Sequence, residues 1–215
     1  MNLILASNSP RRRQLLGLTG LDFSVHPADV DETPLDAEPA NVYVQRLAAS
    51  KARVVGAQAT LDSLVIAADT TVVDGNQILG KPVDNEDAAR MLRQLRGRTH
   101  QVYTAIAVLR NTELMVECCC TDVPMRHYSD AEMQAYIESG DPLDKAGAYA
   151  IQHPGFHPVE NLQGCYANVV GLPLCHLVRA LRKFDIELAS GLPSACQSTL
   201  GYECPIYEAL LQTER

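Results

Sequence analysis

Leu3-Ile4-Leu5-Ala6-Ser7-Asn8-Ser9-Pro10-Arg11-Arg12-Arg13 is the stretch from which the fold can be read. Its four apolar residues, closed by small polar ones, predict a short buried strand. Pro10 stands where a helix opens, since its fixed φ suits the first turn and its missing N–H is no loss there. Leu15, Leu16 and Thr19 follow at helical spacing. The local picture is strand, serine-rich turn, helix N-terminus, and the free N–H groups of such a corner attract anions. A first helical turn ordinarily favours Asp or Glu. Three arginines there break a local rule, and broken local rules gather at functional sites. A nucleotide's phosphate chain is the simplest polyanion to explain them; the plain alternative is three solvated arginines on a surface helix.

Outward from this corner, composition narrows the field. A chain of 215 residues can bury a substantial core, as one domain or as two small lobes around a cleft. A formal charge of −8 argues against a nucleic-acid polymer or an anionic membrane as partner, so a basic cluster within it suggests a small anion in a local pocket. No apolar run approaches a membrane span, and four apolar residues followed by arginines reverse the order of a secretory signal. Seven cysteines, with Cys118-Cys119-Cys120 adjacent, fit reduced thiols in a cytoplasmic protein and read as small packing residues. Cys165, Cys175 and His176 make a poor zinc set. His153 and His157, in a loop with two prolines, are no helical metal pair.

Phe23 to His26 predicts a short strand, followed by the acidic loop Asp29-Val30-Asp31-Glu32. Glu38 and Pro39 open a long helix to about Ala57, whose apolar stripe of Val44, Leu47, Ala48 and Val55 also carries Lys51. A lysine on an inward face either snorkels to the rim or reaches an anion in a cleft. Leu64-Val65-Ile66-Ala67-Ala68 has the pattern of a central buried strand ending in Asp69-Thr70-Thr71, and ligands of open α/β sheets gather at the carboxyl ends of such strands. A hairpin turning at Asp74-Gly75-Asn76 leads to Gly80-Lys81-Pro82. Asp84 caps a helix to about Leu95. Val102 to Leu109 and Leu114 to Val123 predict a hairpin joined at Asn111. Ser129 and Glu132 form a capping box for a helix to about Ser139. Residues 145 to 171 predict loop with short strands, and Leu172-Pro173-Leu174 starts a last long helix ending near Phe184. Beyond residue 189 the signals predict one short helix around Ile206 to Leu211 and otherwise irregular chain.

The polar residues at these strand ends and helix starts are Ser7, Ser9, Arg11, Arg12, Glu32, Lys51, Asp69 and Lys81. Cations alone would suggest anion binding. The added carboxylates suggest Mg²⁺, which holds few protein oxygens and takes substrate phosphates for the rest, and so hydrolysis of a nucleoside triphosphate rather than storage. The sequence contains no P-loop, no dinucleotide fingerprint and no Gly-x-Ser-x-Gly elbow.

Ser7-x-Ser9-Pro10-Arg11-Arg12, Glu32, Lys51-Ala52, Ala68-Asp69-Thr70, Gly80-Lys81-Pro82, Arg96-Gly97-x-x-His100, Asp144-Lys145-Ala146-Gly147, Gln152 and Asn168-Val169-Val170-Gly171-Leu172-Pro173-Leu174, in this order, closely resemble the Maf family of nucleoside triphosphate pyrophosphatases. The likeness runs from about Leu3 to Phe184. It implies an α/β fold of the inosine-triphosphatase-like (Maf/Ham1) type, two lobes on an elongated mixed sheet with a central cleft. Residues 1–188 would form that domain and 189–215 a C-terminal extension. The implied reaction takes a triphosphate to monophosphate and pyrophosphate by attack at the α-phosphorus. Asp69 would be proton acceptor and, with Glu32, ligand of a divalent cation (Mg or Mn). Ser7, Ser9, Arg12, Lys51 and Lys81 would hold the triphosphate. Arg11, Thr70 and Gln152 stand at the positions that sort substrates and resemble the dTTP and UTP type, and a Gln amide can meet the O4 and N3–H edge of uracil or thymine. The run His153-Pro154-Gly155-Phe156-His157-Pro158 departs from the glycines usual in the family, which bears on base preference. The alternatives are a 7-methyl-GTP pyrophosphatase and a nucleotide-binding regulator of cell division with little catalysis. The resemblance allows a homodimer, which no residue here demonstrates.

Overall fold

The computed structural model describes residues 2–212. The N-terminal corner forms as its sequence dictates. Strand β1 (Leu3–Leu5) turns into helix α1 (Pro10–Gly17), with Pro10 in the first turn and Ser9 Oγ accepting the Arg12 N–H. Strand β2 (Ser24–Val25), helix α2 (Ala40–Gly56), strands β3 (Leu64–Asp74) and β4 (Gln77–Leu79) and helix α3 (Asn85–Leu95) follow. Next come strands β5 (Thr99–Arg110) and β6 (Glu113–Pro124) and helices α4 (Asp130–Glu138), α5 (Tyr166–Val170), α6 (Leu174–Arg182), α7 (Leu192–Leu200) and α8 (Tyr207–Gln212). The sheet runs β2-β1-β3-β5-β6, with β4 also on β3. It is mixed: β1 pairs parallel with β2 and β3, whereas β3 pairs antiparallel with β4 and β5, and β5 with β6.

Alternation along the strands builds two layers of core. Leu3, Leu5, Leu64, Ile66, Ile106 and Val108 face α1, α5 and α6, while Ile4, Ala6, Val65, Ala67, Ala105 and Ala107 face α2. The far halves of β3 and β5 carry a second lobe, in which Val72, Val102 and Val123 pack with Leu92, Tyr128, Tyr136 and Phe156. Among the described residues no helix is long and apolar enough to cross a membrane.

Three expectations need correction. The central strand does not end at Asp69. It continues to Asp74 because β5 pairs with it from Leu64↔Arg110 through Val73↔Gln101, and buried partners satisfy the polar side chains of Asp69 and Thr70. Residues 145 to 171 hold one 3₁₀ turn (Ala146–Ala148) and α5 instead of short strands, and their strand-like pairing is an isolated bridge, Met125↔Val159. The chain beyond residue 189 contains α7 as well as the expected α8. Leu192 is buried in the main core, and Cys196, Leu200, Ile206 and Leu211 pack against it. All seven cysteines are free thiols.

One consequence of the pairing positions the site. On the side of β3 away from β5, β1 covers Leu64 to Ile66 and β4 covers Val72 to Asp74. Between them, residues 67–71 have no neighbouring strand on that side among the described residues. The sheet is open there, and the chain's main cleft fills the gap.

Candidate active site

The cleft has a volume of about 460 Å³, within the range of small-molecule sites, and Ser7, Ser9, Arg11, Arg12, Glu32, Lys51, Asp69, Thr70, Lys81 and Gln152 all line it. Because successive side chains on a strand point to opposite faces, Asp69 continues the Val65–Ala67 row toward α2, while Thr70 continues the Ile66–Ala68 row toward α1 and α5. Each then meets its own cation.

On the α2 face, Lys51 Nζ lies 2.6 Å from Asp69 Oδ1 and 2.6 Å from Glu32 Oε1. Its inward position is thereby accounted for: the ammonium is buried between two carboxylates. The loop that carries Glu32 is strapped to α2, since the Tyr43 hydroxyl donates to the Glu32 carbonyl (2.8 Å) and Arg46 donates to both Glu38 oxygens and the Thr33 carbonyl. Burial raises the Asp69 pKa despite the opposing charges of Lys51 and Arg12. Burial also works against the more exposed Glu32 carboxylate, but there the hydrogen bond and charge of Lys51, with Lys81 and Arg12 behind, hold the pKa below the ordinary value.

On the other face the three arginines separate. Arg13 is exposed. Arg12 is a clasp: Nε donates to the Gly171 carbonyl (2.9 Å), Nη1 to the Ala68 carbonyl (2.8 Å) and to Ser7 Oγ (3.3 Å), and Nη2 to Thr70 Oγ1 (2.9 Å). A guanidinium has five N–H groups, so one is left for the cleft. Thr104 donates to the Asn168 carbonyl (2.8 Å), which makes it the acceptor from Thr70 at 3.0 Å, and so the chain runs from Arg12 through Thr70 and Thr104 to Asn168. Gly171, at φ 116, permits this closeness, because a Cβ there would stand 3.2 Å from Thr70 Oγ1 and 3.4 Å from Arg12 Nε. Arg11 is at the mouth, with Nη1 3.9 Å from Asp144 Oδ2. The Ser7 hydroxyl accepts from the Ser9 N–H and from Arg12, and that of Ser9 accepts from the Arg12 N–H, so each keeps its own proton to donate. The Lys81 ammonium makes no ion pair among the described residues. Its turn is held by the Gly147 N–H on the Gly80 carbonyl (3.0 Å).

Sequence reasoning passed over two groups in the wall. Lys145 stands within the motif Asp144-Lys145-Ala146-Gly147, but a single lysine in a loop gives no local sign of burial. It is buried, and its three donors go to the Asp141 carbonyl (2.6 Å), Asp141 Oδ1 (2.9 Å) and Asp144 Oδ1 (2.6 Å), which fixes Asp144 opposite Arg11. Tyr149 also lines the cleft, and its hydroxyl lies 2.8 Å from Nε2 of the buried His100. The unusual run after Gln152 folds away from the cleft. His153 Nδ1 accepts the Gly155 and Phe156 N–H groups, Arg126 donates to the Phe156 and His157 carbonyls, and Phe156 stacks on Tyr136 at 4.4 Å. None of residues 153–158 lines the cavity; Gln152 just before them does, and its amide has no hydrogen-bond partner among the described residues.

His100 has a consequence for stability. Burial pushes its pKa down to about 4, against a weak opposing pull from Asp74. Above the unfolded value of about 6.5 both states are neutral and nothing is lost. As pH falls from there toward 4, the unfolded chain takes up a proton that the folded one refuses, and about 3 kcal/mol of stability is lost. Urea unfolding of wild type and His100→Gln across this range is expected to show a steeper acid loss in wild type; parallel curves would refute the assignment.

Among the described residues no group of three or more His, Cys, Asp or Glu side chains is placed to hold a metal ion. Glu32 and Asp69 converge as a pair on one point, the Lys51 ammonium. Two carboxylates are a donor set that suits Mg²⁺ or Mn²⁺ when phosphate oxygens complete it.

Comparison with known proteins bears on this cleft. The family described as Maf-like protein matches residues 2–184. The chain is 49% identical over 190 residues to the dTTP/UTP pyrophosphatase of Anaeromyxobacter dehalogenans, covering 86% of this chain and 95% of that protein. It is 46% identical over 192 residues to that of Hahella chejuensis, covering 87% and 94%. For that of Thermomicrobium roseum the figures are 45% over 216 residues, covering 97% and 95%. Among solved structures, the Staphylococcus aureus Ham1 protein shares the fold with a TM-score of 0.50 at 15% identity, covering 86% of this chain and 97% of that one.

Proposed function

The chain belongs to the Maf family, and on that premise we propose that it is a nucleoside triphosphate pyrophosphatase taking dTTP and UTP to the monophosphate and pyrophosphate, by attack of water at the α-phosphorus. The observation that carries the reading is Lys51 held between Glu32 and Asp69 in a cleft that Arg11, Lys81 and the serine turn also line. Carboxylates and cations gathered in one cleft suit a reaction that needs a base and an anionic leaving group.

In this reading the triphosphate lies along the α1 corner. The Ser7 and Ser9 hydroxyls, the N–H of Arg11, which has no partner among the described residues, and the spare N–H of Arg12 donate to phosphate oxygens. Lys81 and Arg11 face the departing pyrophosphate and offset the charge that grows on it. Asp69 takes the proton of the attacking water, and its burial makes it a stronger base than a solvated carboxylate. Glu32 and Asp69 would hold a divalent cation, which supplies charge neutralisation and polarises the reacting phosphorus when bound. With those carboxylates engaged, Lys51 would be free to donate to a phosphate oxygen instead. The base rests between Val72, Tyr149, Ile151 and Val169, with the free Gln152 amide able to give one donor and one acceptor to a pyrimidine edge. Seven free thiols suit the reducing conditions of the cytoplasm.

A nucleotide panel with and without Mg²⁺ tests this. Pyrophosphate and monophosphate are expected from dTTP and UTP, and Gln152→Ala is expected to lower kcat/KM for both by about tenfold, as a hydrogen-bonded edge is lost. Release of free phosphate, or binding without turnover, would overturn the reading. Faster turnover of 7-methyl-GTP would overturn the base assignment alone.

A further inference from the structure

We propose that Tyr202, in the segment beyond the family's matched span, is a positioning residue that sets the Arg12 clasp by bracing α5; the proposal rests on the pyrophosphatase reading above. Tyr202 does not line the cleft. Its backbone is fixed at the end of α7, where its N–H donates to the Gln197 carbonyl (3.1 Å) and Gln197 Oε1 accepts the Cys204 N–H (2.9 Å). From there the hydroxyl reaches the turn that precedes α5. It lies 3.1 Å from the Leu162 carbonyl and 3.0 Å from the Gly164 carbonyl, and it accepts the Gly164 N–H at 3.2 Å. Its ring rests on Tyr166 with centroids 5.4 Å apart.

The helix held in this way cannot hold itself. A five-residue helix has almost no internal hydrogen bonding, and helix formation is unfavourable at such lengths. Yet α5 and the residue after it carry both outer anchors of the clasp. The Gly171 carbonyl accepts Arg12 Nε, and the Asn168 carbonyl accepts Thr104, which supports Thr70 and through it Arg12 Nη2. Asn168 is locked laterally by its Nδ2 on the Val102 carbonyl and Thr121 Oγ1, both at 2.9 Å. Its N-terminal end depends on the turn at residues 162–164, which Tyr202 grips. A shift of α5 therefore moves both Arg12 anchors together, and with them Val169 and Val170 in the cleft wall.

The test uses the full chain. Tyr202→Phe keeps the ring contact and removes only the hydroxyl. It is expected to lower kcat for dTTP about fivefold, the worth of roughly one hydrogen bond of positioning, with KM changed less than about twofold. Thr104→Val cuts one of the two routes and leaves the Gly171 carbonyl on Arg12 Nε, so in that background Tyr202→Phe is expected to cost less than it does in wild type, whereas Thr104→Ser keeps the full coupling. Gln197→Met loosens Tyr202 from the other side and is expected to reproduce the loss of kcat, which covers the case of a poorly folded Tyr202→Phe. Wild-type kcat and KM in Tyr202→Phe well below its unfolding transition, or effects of Tyr202→Phe and Thr104→Val that simply multiply, would overturn the positioning role and leave the enzyme reading intact. A wild-type protein that releases no pyrophosphate from dTTP would overturn both.

Discussion

Asp69→Asn is expected to lower kcat for dTTP about a thousandfold, in keeping with the loss of a general base, while nucleotide affinity stays within about threefold of wild type. The substitution keeps size and shape. Asn Oδ1 can still accept from Lys51, which also retains Glu32, so the site should not collapse. Stability separates this loss from damage to the fold. Asp69 is 6% exposed, and its raised folded pKa means that its contribution to stability is greatest below the unfolded carboxylate value and is lost as pH rises through the folded one. At pH 7 the buried charge is therefore a burden, and the Asn variant is expected to be at least as stable as wild type in urea. Such a trade of stability for activity is usual where a group serves the reaction. Unchanged turnover in a variant of unchanged stability would remove Asp69 from the chemistry.

How far the sequence carried this site depends on how local each signal was. The α1 corner was legible because a buried strand, a proline at the helix start and a serine cap act within a few residues of one another. The capping box at Ser129 and Glu132 and the cap at Asp84 form as read, for the same reason, and within the serine-rich turn it is Ser9 that caps α1. Asp69 was legible as a site residue, but its setting was not. The polar run Asp69-Thr70-Thr71 reads as a strand end, whereas pairing with β5, more than thirty residues on, carries the strand through it. Lys51 announced itself by standing on an apolar stripe, and only the fold could choose between the rim and an inward partner. For Arg12 the sequence suggested a phosphate ligand; the structure spends four of its donors on two carbonyls and two hydroxyls, one of the carbonyls 159 residues away at Gly171. Helix α5 is too short to show a period. Helix α7 opens at Gly191-Leu192-Pro193 without a side-chain cap, and its small polar residues blur the apolar face.

The second large effect is expected at Lys51. Lys51→Met keeps the stem that packs on α2's inward stripe and deletes the charge between Glu32 and Asp69. The two carboxylates then lose the ammonium between them, and breaking the buried Lys51–Asp69 pair costs about 3 kcal/mol, the half-exposed Glu32 adding little. Unfolding in urea at pH 7 is expected to shift by that amount, and turnover of dTTP to fall at least about a hundredfold as a contact to the developing charge disappears. What distinguishes the proposed role from plain structural support is the behaviour of the nucleotide-free protein toward Mn²⁺. In wild type the ammonium already occupies the point on which both carboxylates converge, so added Mn²⁺ must compete with a charge fixed at 2.6 Å from each. In Lys51→Met that point is vacated. Free Mn²⁺ measured by its paramagnetic resonance is expected to show binding at least about tenfold tighter in the variant, and saturating Mn²⁺ to restore part of the lost stability, because a ligand that binds only the folded state stabilises it. Equal Mn²⁺ binding by the two proteins would mean that Glu32 and Asp69 serve only to hold Lys51, and the cation would then have to reach the phosphates without them.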